Sequence, residues 1–401
     1  MKIIHLFVTA AIVACTAVAW FVLAVALNHR TAGSTYAMKH EVSGVWGPPL
    51  VQQHPMAWYE TPNAPGGRAQ LLPGASNVEV DLDYDPKQRG LIWHRTYDAA
   101  FSAKHVFTNP TRIPQTLYIS FPLPDTTAGL TGFEFRLGDD DTATPAAPGA
   151  SGVITRAVLL PASESITLHT RYKTRGTDTW LYQFPDNRRL SGFELTMRTS
   201  FPEEDINFPV GTASPSKRGA VDGGFRMVWD FPDILAAPNI GMDMPKQLNA
   251  GPVATRIAFF APVSLLFFVT IVLLIGGIKG IPLHPMHVFF VSAGFFAFHL
   301  LFSYLVDIIS LPLAFSVATV ASVLLVCGYL KAVGGTKLLL IALPAQLLYL
   351  VAFTASFFID GLTGITLTVL AVITLALLMF LTAKVDWRTF LTRKQSVPAA
   401  P

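Results

Sequence analysis

The stretch IIHLFVTAAIVACTAVAWFVLAVAL (Ile3–Leu27) contains no Asp, Glu, Lys or Arg. A helix of roughly 20 apolar residues crosses a hydrocarbon core of about 30 Å. The run is longer than the apolar core of a cleaved signal peptide, about 7–15 residues, so it reads as an uncleaved signal anchor. Five more runs follow a long polar middle: Ile257–Ile278 (IAFFAPVSLLFFVTIVLLIGGI), Met286–Val306, Pro312–Val333, Leu338–Ile359 and Leu362–Ala383. Water is absent at that depth, so helix is the structure that satisfies their backbone groups. The connections are very short, so consecutive spans from the second onward pack as antiparallel hairpins.

The composition of the 401 residues agrees. Hydrophobic residues make up 51% and charged residues 14%, against about 25% charged in a soluble domain, and the mean hydropathy is +0.46. The formal charge of +3 is too small for a protein that neutralises many phosphates of a nucleic acid. The two cysteines, Cys15 and Cys327, lie in apolar runs and offer neither a disulfide framework nor a cysteine metal site. The middle, Asn28–Arg256, is net acidic, whereas the remainder is net basic.

The basic residues of the apolar part sit at span ends. Lys279 follows the second span, Lys331 and Lys337 flank the turn after the fourth, and Lys384, Arg388, Arg393 and Lys394 follow the sixth. Asp307 and Asp360 mark the alternate ends. Placing every Lys/Arg-bearing turn in the cytoplasm puts both termini inside and Asn28–Arg256 outside. Trp387 fits an interfacial anchor.

From about Ala37 to Pro252 the period is two. Val78, Val80, Leu82 and Tyr84 alternate with Glu79, Asp81 and Asp83, and Phe133, Phe135 and Leu137 with Glu134 and Arg136. Such alternation puts one face on a core and the other in water. Further strands are expected at Leu91–Val106, Leu117–Phe121, Val153–Leu160, Trp180–Phe184, Phe193–Thr199 and Phe225–Phe231. Many short strands without a helical period suggest an antiparallel β-sandwich. Thr142–Ser151 either divides two small sandwiches or forms one long hairpin loop. The expected fold is thus a multi-pass α-helical membrane protein of six spans with an inserted all-β, sandwich-like periplasmic domain. The segments are an anchor helix (1–30), the β-rich domain (31–255), a five-helix bundle (256–387) and a cytoplasmic tail (388–401).

Two constellations carry possible chemistry. On the third span Ser292, His299, Ser303 and Asp307 share one helix face. An ionisable group near the bilayer centre costs upward of about 2.5 kcal/mol and normally faces the bundle interior. The face is either a polar track with His299 as a titrating step, or helix–helix glue in which His299 bonds a neighbouring span while Asp307 meets water. On one predicted strand His169, Arg171, Lys173 and Arg175 form a basic stripe, either a solvated face or a contact for anionic headgroups or an acidic partner. Asp139–Asp141 and Glu203–Asp205 lack the spacing of a calcium loop. His284 and His287 flank Pro285 in a rigid turn without a third metal ligand. No nucleotide, nucleophile-elbow or zinc-protease motif occurs. No catalytic residue, metal or cofactor is expected.

The run PLHPMHVFFV (Pro282–Val291), leading to Asp307, and the run LMFLTAKVDW (Leu378–Trp387) resemble the inner membrane protein CreD family, also called cell envelope integrity proteins. The layout is also similar: one N-terminal span, a large periplasmic domain, then a cluster of spans. The resemblance covers about Pro282–Trp387, maps an acidic residue to Asp307 and the closing pair to Asp386–Trp387. It does not extend to the β-rich part, and RYKTRGTDTW (Arg171–Trp180) and FFAPVSLLFF (Phe259–Phe268) look like a divergent branch. It implies a bacterial inner-membrane location and a role in envelope integrity or stress tolerance, without an enzymatic reaction. The expected function is a non-enzymatic protein whose outer domain contacts an envelope component, with the lipid bilayer and an envelope protein as partners. The alternatives are a proton-linked transporter using His299 and Asp307, or a stress sensor signalling through a partner.

Overall fold

The structure, a computed structural model, describes the chain except residues 1–2, 63, 90–91, 126, 139–151, 282, 360, 362 and 384–401. Asp139–Asp141, the Thr142–Ser151 stretch, Asp360 and the basic tail with Asp386 and Trp387 therefore lie outside the described residues. The chain divides into two units, Met1–Thr35 with Leu248–Pro401, and Tyr36–Gln247.

The first unit is helical. Helix α1 (Ile3–Trp46) is followed, after the β-domain, by α2 (Ala250–Ile278), α3 (Pro285–Leu305), α4 (Leu311–Gln346) and α5 (Thr363–Thr382). Five helical stretches are long and apolar enough to cross a membrane: Phe7–Thr31, Ala250–Ile278, Pro285–Leu305, Leu311–Phe358 and Thr363–Phe380. The expectation of strands from Ala37 is corrected by α1, which runs on to Trp46. The expected start of the bundle at residue 256 moves back to Ala250, because Ala250–Arg256 is already helical ahead of the apolar run.

The 48-residue stretch Leu311–Phe358 covers two of the expected spans. As one straight helix it would be about 70 Å long, more than twice a bilayer core. Its backbone breaks at Gly335, with φ 65° and ψ −162°, a region open essentially to glycine alone. Cross-contacts show that the chain folds back there. Gln346 Nε2 donates to Ser322 Oγ at 3.1 Å, and Cys327 Sγ donates to Gln346 Oε1 at 3.3 Å. On a continuous helix Ser322 and Gln346 would stand about 36 Å apart. Lys331 and Lys337 bracket the break. Beyond Gln346 the helix widens into a π turn, Leu347–Ala352, just after Pro344 has removed a ladder donor.

The second unit is a β-domain with one contiguous core. Its largest sheet has seven strands in the order β14 (Lys217–Val221), β15 (Gly224–Leu235), β13 (Arg189–Thr199), β4 (Ala75–Tyr84), β7 (Thr96–Thr108), β11 (Ser165–Thr177) and β9 (Thr131–Leu137). A four-stranded sheet orders β10 (Val153–Leu160), β8 (Gln115–Pro122), β2 (Met56–Glu60) and β3 (Arg68–Leu71), and a three-stranded one orders β1 (Leu50–Gln53), β12 (Thr179–Gln183) and β16 (Ile240–Asp243). A small hairpin pairs β5 (Lys87–Arg89) with β6 (Ile92–His94). Val78, Val80 and Leu82 of the large sheet share the core with Leu117, Ile119 and Phe121 of the four-stranded sheet, as in a sandwich. One core rather than two small ones makes the unit a single domain. The sheets are not purely antiparallel: β4 pairs with β13, and β1 with β12, in parallel. Parallel neighbours need long connections, and more than a hundred residues separate each pair.

Candidate functional site

Within the helical unit Ser292, His299 and Ser303 are all buried. His299 Nδ1 bonds the Phe295 carbonyl of its own helix at 3.0 Å, and Ser303 Oγ donates to the His299 carbonyl at 2.6 Å. The expected bond from His299 to a neighbouring span is absent among the described residues. Instead its ring meets Trp20 of α1 edge-on, with centroids 5.3 Å apart. His299 Nε2, Ser292 Oγ and Trp20 Nε1 are buried without a hydrogen-bond partner. Asp307 does not simply meet water either, because it forms an ion pair with Arg30 at the end of the first apolar run. Arg30 closes the first apolar run and Asp307 the third, and opposite charges at two span ends are the available signal for that pair.

The bonds that tie spans together lie elsewhere. Ser322 Oγ donates to the Gly294 carbonyl at 3.0 Å, where a side chain on Gly294 would strike Val326 at 2.6 Å. Ser264 of α2 bonds the Tyr349 carbonyl in the π turn, and Tyr349 OH meets Thr374 Oγ1 of α5 at 2.7 Å. Small residues at close crossings and polar side chains between helices are the usual means of association in lipid. His284 caps α3, its Nδ1 accepting from the Met286 N–H at 3.2 Å, and lies 5.2 Å from the ring of His5. His287 bonds Tyr329 OH at 2.8 Å. No group of three or more metal-ligating side chains is suitably placed among the described residues.

In the β-domain the predicted stripe lies on β11, on the face turned away from the core. Its cross-strand neighbours change its meaning. Arg175 pairs with Asp98 of β7, Nε to Oδ1 at 2.9 Å. His169 stands in register between Lys104 of β7 and Arg136 of β9, so three basic side chains lie in one row. Arg171 is opposite Ser102 and Glu134, and Lys173 opposite Ala100. Glu79 and Asp81 of β4 flank the other side of β7, with Arg198 of β13 3.9 and 3.1 Å from their carboxylates. Ala100 and Ser102 are short, so a groove of about 330 Å³ opens above them. Lys104 and Arg136 escape a reading of the sequence because their place beside His169 depends on strand register.

The same domain buries two histidines. His54 Nδ1 bonds Tyr182 OH at 2.8 Å and His105 Nδ1 bonds Ser76 Oγ at 2.9 Å, with ring centroids 5.5 Å apart. Burial lowers the pKa of His54 to about 3 and holds that of His105 well below the ordinary value. Both are therefore neutral at physiological pH.

These features define a multi-pass helical membrane protein carrying a β-sandwich domain. Residues 210–388 match the model of the family described as inner membrane protein CreD. Over that stretch, from the last part of the β-domain through the bundle, the chain is similar to the CreD family. No curated protein matches the chain. A solved structure from Legionella pneumophila, described as that of a candidate nutrient binding protein, is similar at a TM-score of 0.33 and 11% identity, over 55% of this chain and 76% of that one. Likeness at that level carries no argument about function.

Proposed function

We propose that this chain is a non-enzymatic inner-membrane protein supporting envelope integrity, whose β-domain faces the periplasm and contacts an anionic envelope component. The observation that carries the reading is the row Lys104–His169–Arg136 with Arg171 and Lys173 beside it, displayed on a seven-stranded sheet. Six spans with both termini in the cytoplasm follow from counting the two arms around Gly335 separately and applying the positive-inside rule. Single cysteines at Thr336 and Ser310, labelled with a membrane-impermeant thiol reagent in a background without Cys15 and Cys327, test the topology. Ser310 should label from outside and Thr336 only after permeabilisation; external labelling of Thr336 would reverse the orientation.

A second reading, a proton-linked transporter, is supported by the unpartnered buried atoms of Ser292 and His299. Complementation of a deletion strain under envelope stress separates the two. The envelope-contact reading expects H299A/D307N to rescue and a β-domain deletion to fail at matched membrane levels. Failure of the double variant with rescue by the deletion would favour transport.

A further inference from the structure

Like charges directly opposite across strands destabilise a sheet. The β-domain nevertheless aligns Lys104, His169 and Arg136 on three adjacent strands. The two next cations along β11, Arg171 and Lys173, face Ser102 and Ala100 across β7, and on the other side Arg171 faces Glu134 of β9, whose carboxylate lies 3.9 Å from Arg136. Among the described residues Lys104, Arg171 and Lys173 make no ion pair, although Arg175, Arg189 and Arg198 on the same face all do. The sheet thus pairs several of its exposed arginines with neighbouring carboxylates, while Lys104, Arg171 and Lys173 outnumber the single carboxylate of Glu134 beside them, at the mouth of a groove of about 330 Å³.

The opposite wall is different. Glu79 and Asp81 share Arg198, so their charge is offset, but each carboxylate retains lone pairs that accept hydrogen bonds from hydroxyl groups. Strands β4 and β11 are separated by β7 alone, so the walls stand about 10 Å apart, two strand spacings. An occupant must then present a compact anion on one side and hydroxyl donors on the other, over a floor of Ala100 and Ser102. Planar guanidinium and ammonium groups together suit a phosphoryl group. A single sugar ring bearing a phosphate spans the required width. We infer that the groove over β7 binds a phosphorylated sugar, with Lys104, Arg171 and Lys173 holding the phosphate and Glu79 and Asp81 the hydroxyls. This assignment rests on the envelope-contact reading of the same face and gives it a ligand class.

The test is calorimetric titration of the full chain in detergent micelles with glucose 1-phosphate, glucose and inorganic phosphate. Glucose 1-phosphate should bind about tenfold or more tightly than inorganic phosphate, and glucose should not bind, as expected for charge-assisted bonds supplemented by hydroxyl contacts. R171Q and K104Q should each weaken glucose 1-phosphate about tenfold or more, and K104Q should keep or raise the melting temperature, since it relieves repulsion across the strands. E79Q/D81N should remove the margin over inorganic phosphate and leave phosphate binding unchanged. Unchanged binding in R171Q and K104Q, or equal affinity for phosphate and its sugar ester, would overturn the inference. Vesicles containing a lipid with a phosphorylated glucosamine headgroup distinguish the source. Capture that glucose 1-phosphate competes away supports a lipid-borne ligand, and binding of the soluble ester alone supports a free one. If a β-domain deletion still complements, the envelope-contact reading fails, whereas the sugar-phosphate site stands or falls on the titrations alone.

Discussion

At the scale of single residues, the β-domain and the bundle bury polar groups under different rules. In the β-domain, His54 and His105 sit among Tyr182, Phe184, Phe193 and Ser76, and among the described residues no carboxylate acts on either ring to favour the imidazolium. The folded pKa values are depressed, so between about pH 6.5 and the folded value the unfolded chain binds more protons. Stability is therefore full above about pH 6.5 and falls with acidification, by up to about 1.4 kcal/mol per pH unit for each histidine. Thermal melts of the β-domain tryptophan signal from pH 7.5 to 4.5 should show this fall, and H105F should flatten it; a flat wild-type profile would contradict the buried neutral pair. In the bundle, Asp307 meets Arg30 where both side chains are partly exposed. Coupling of such a pair is best isolated by a double-mutant cycle. R30A and D307A together should cost less than the sum of the single changes, by about 0.5–3 kcal/mol in detergent melts. Strict additivity would mean that the two charges act separately.

At the scale of elements, the periodicities carry most of the information. Val153–Leu160 appears as the expected strand with the same ends, and the alternations in β4, β9 and β11 select the faces they occupy. The short strands β1, β2, β3 and β16 are not legible, because four or five residues hold few alternations, whereas the equally short β12 is marked by its alternating aromatics Trp180 and Tyr182. The run of α1 beyond the apolar stretch is hidden because Thr31–Trp46 mixes small, polar and charged residues with no dominant period. Pairing between strands more than a hundred residues apart depends on topology, which local pattern does not encode. That is also why the basic row is visible in the sequence only as a stripe along one strand. Glycines mark two places where an element cannot be built otherwise. A Cβ on Gly224 would lie 1.7 Å from the Thr199 carbonyl oxygen, so the backbone of β13 or β15 must move. G224A should lower β-domain stability by about 1–3 kcal/mol, the usual range for overpacking, read from urea melts; a neutral effect would mean that the β13–β15 pair relaxes freely. G335A should cost about 1–3 kcal/mol at a conformation reserved for glycine, and protease resistance of the helical unit in detergent checks it.

At the scale of the whole molecule, the chain has two hydrophobic cores, each made wholly within its own unit. Their driving forces differ. The β-domain is stabilised by removing apolar surface from water, whereas helices already in lipid associate through packing and interhelical hydrogen bonds. A perturbation suited to one should leave the other's transition in place. Acidification to pH 5 acts through His54 and His105 and should lower the β-domain melt. Q346A removes the bonds of Gln346 with Ser322 and Cys327 and should lower the bundle melt, by roughly 0.6–1.7 kcal/mol per bond lost on membrane-protein scales. Followed in one detergent-solubilised sample, β-sheet circular dichroism should report the first change and helical ellipticity the second. If either perturbation moved both signals equally, the two units would unfold as one. Replacing residues of the β-domain would then disturb the bundle as well, and complementation by a β-domain deletion would no longer isolate what that domain does.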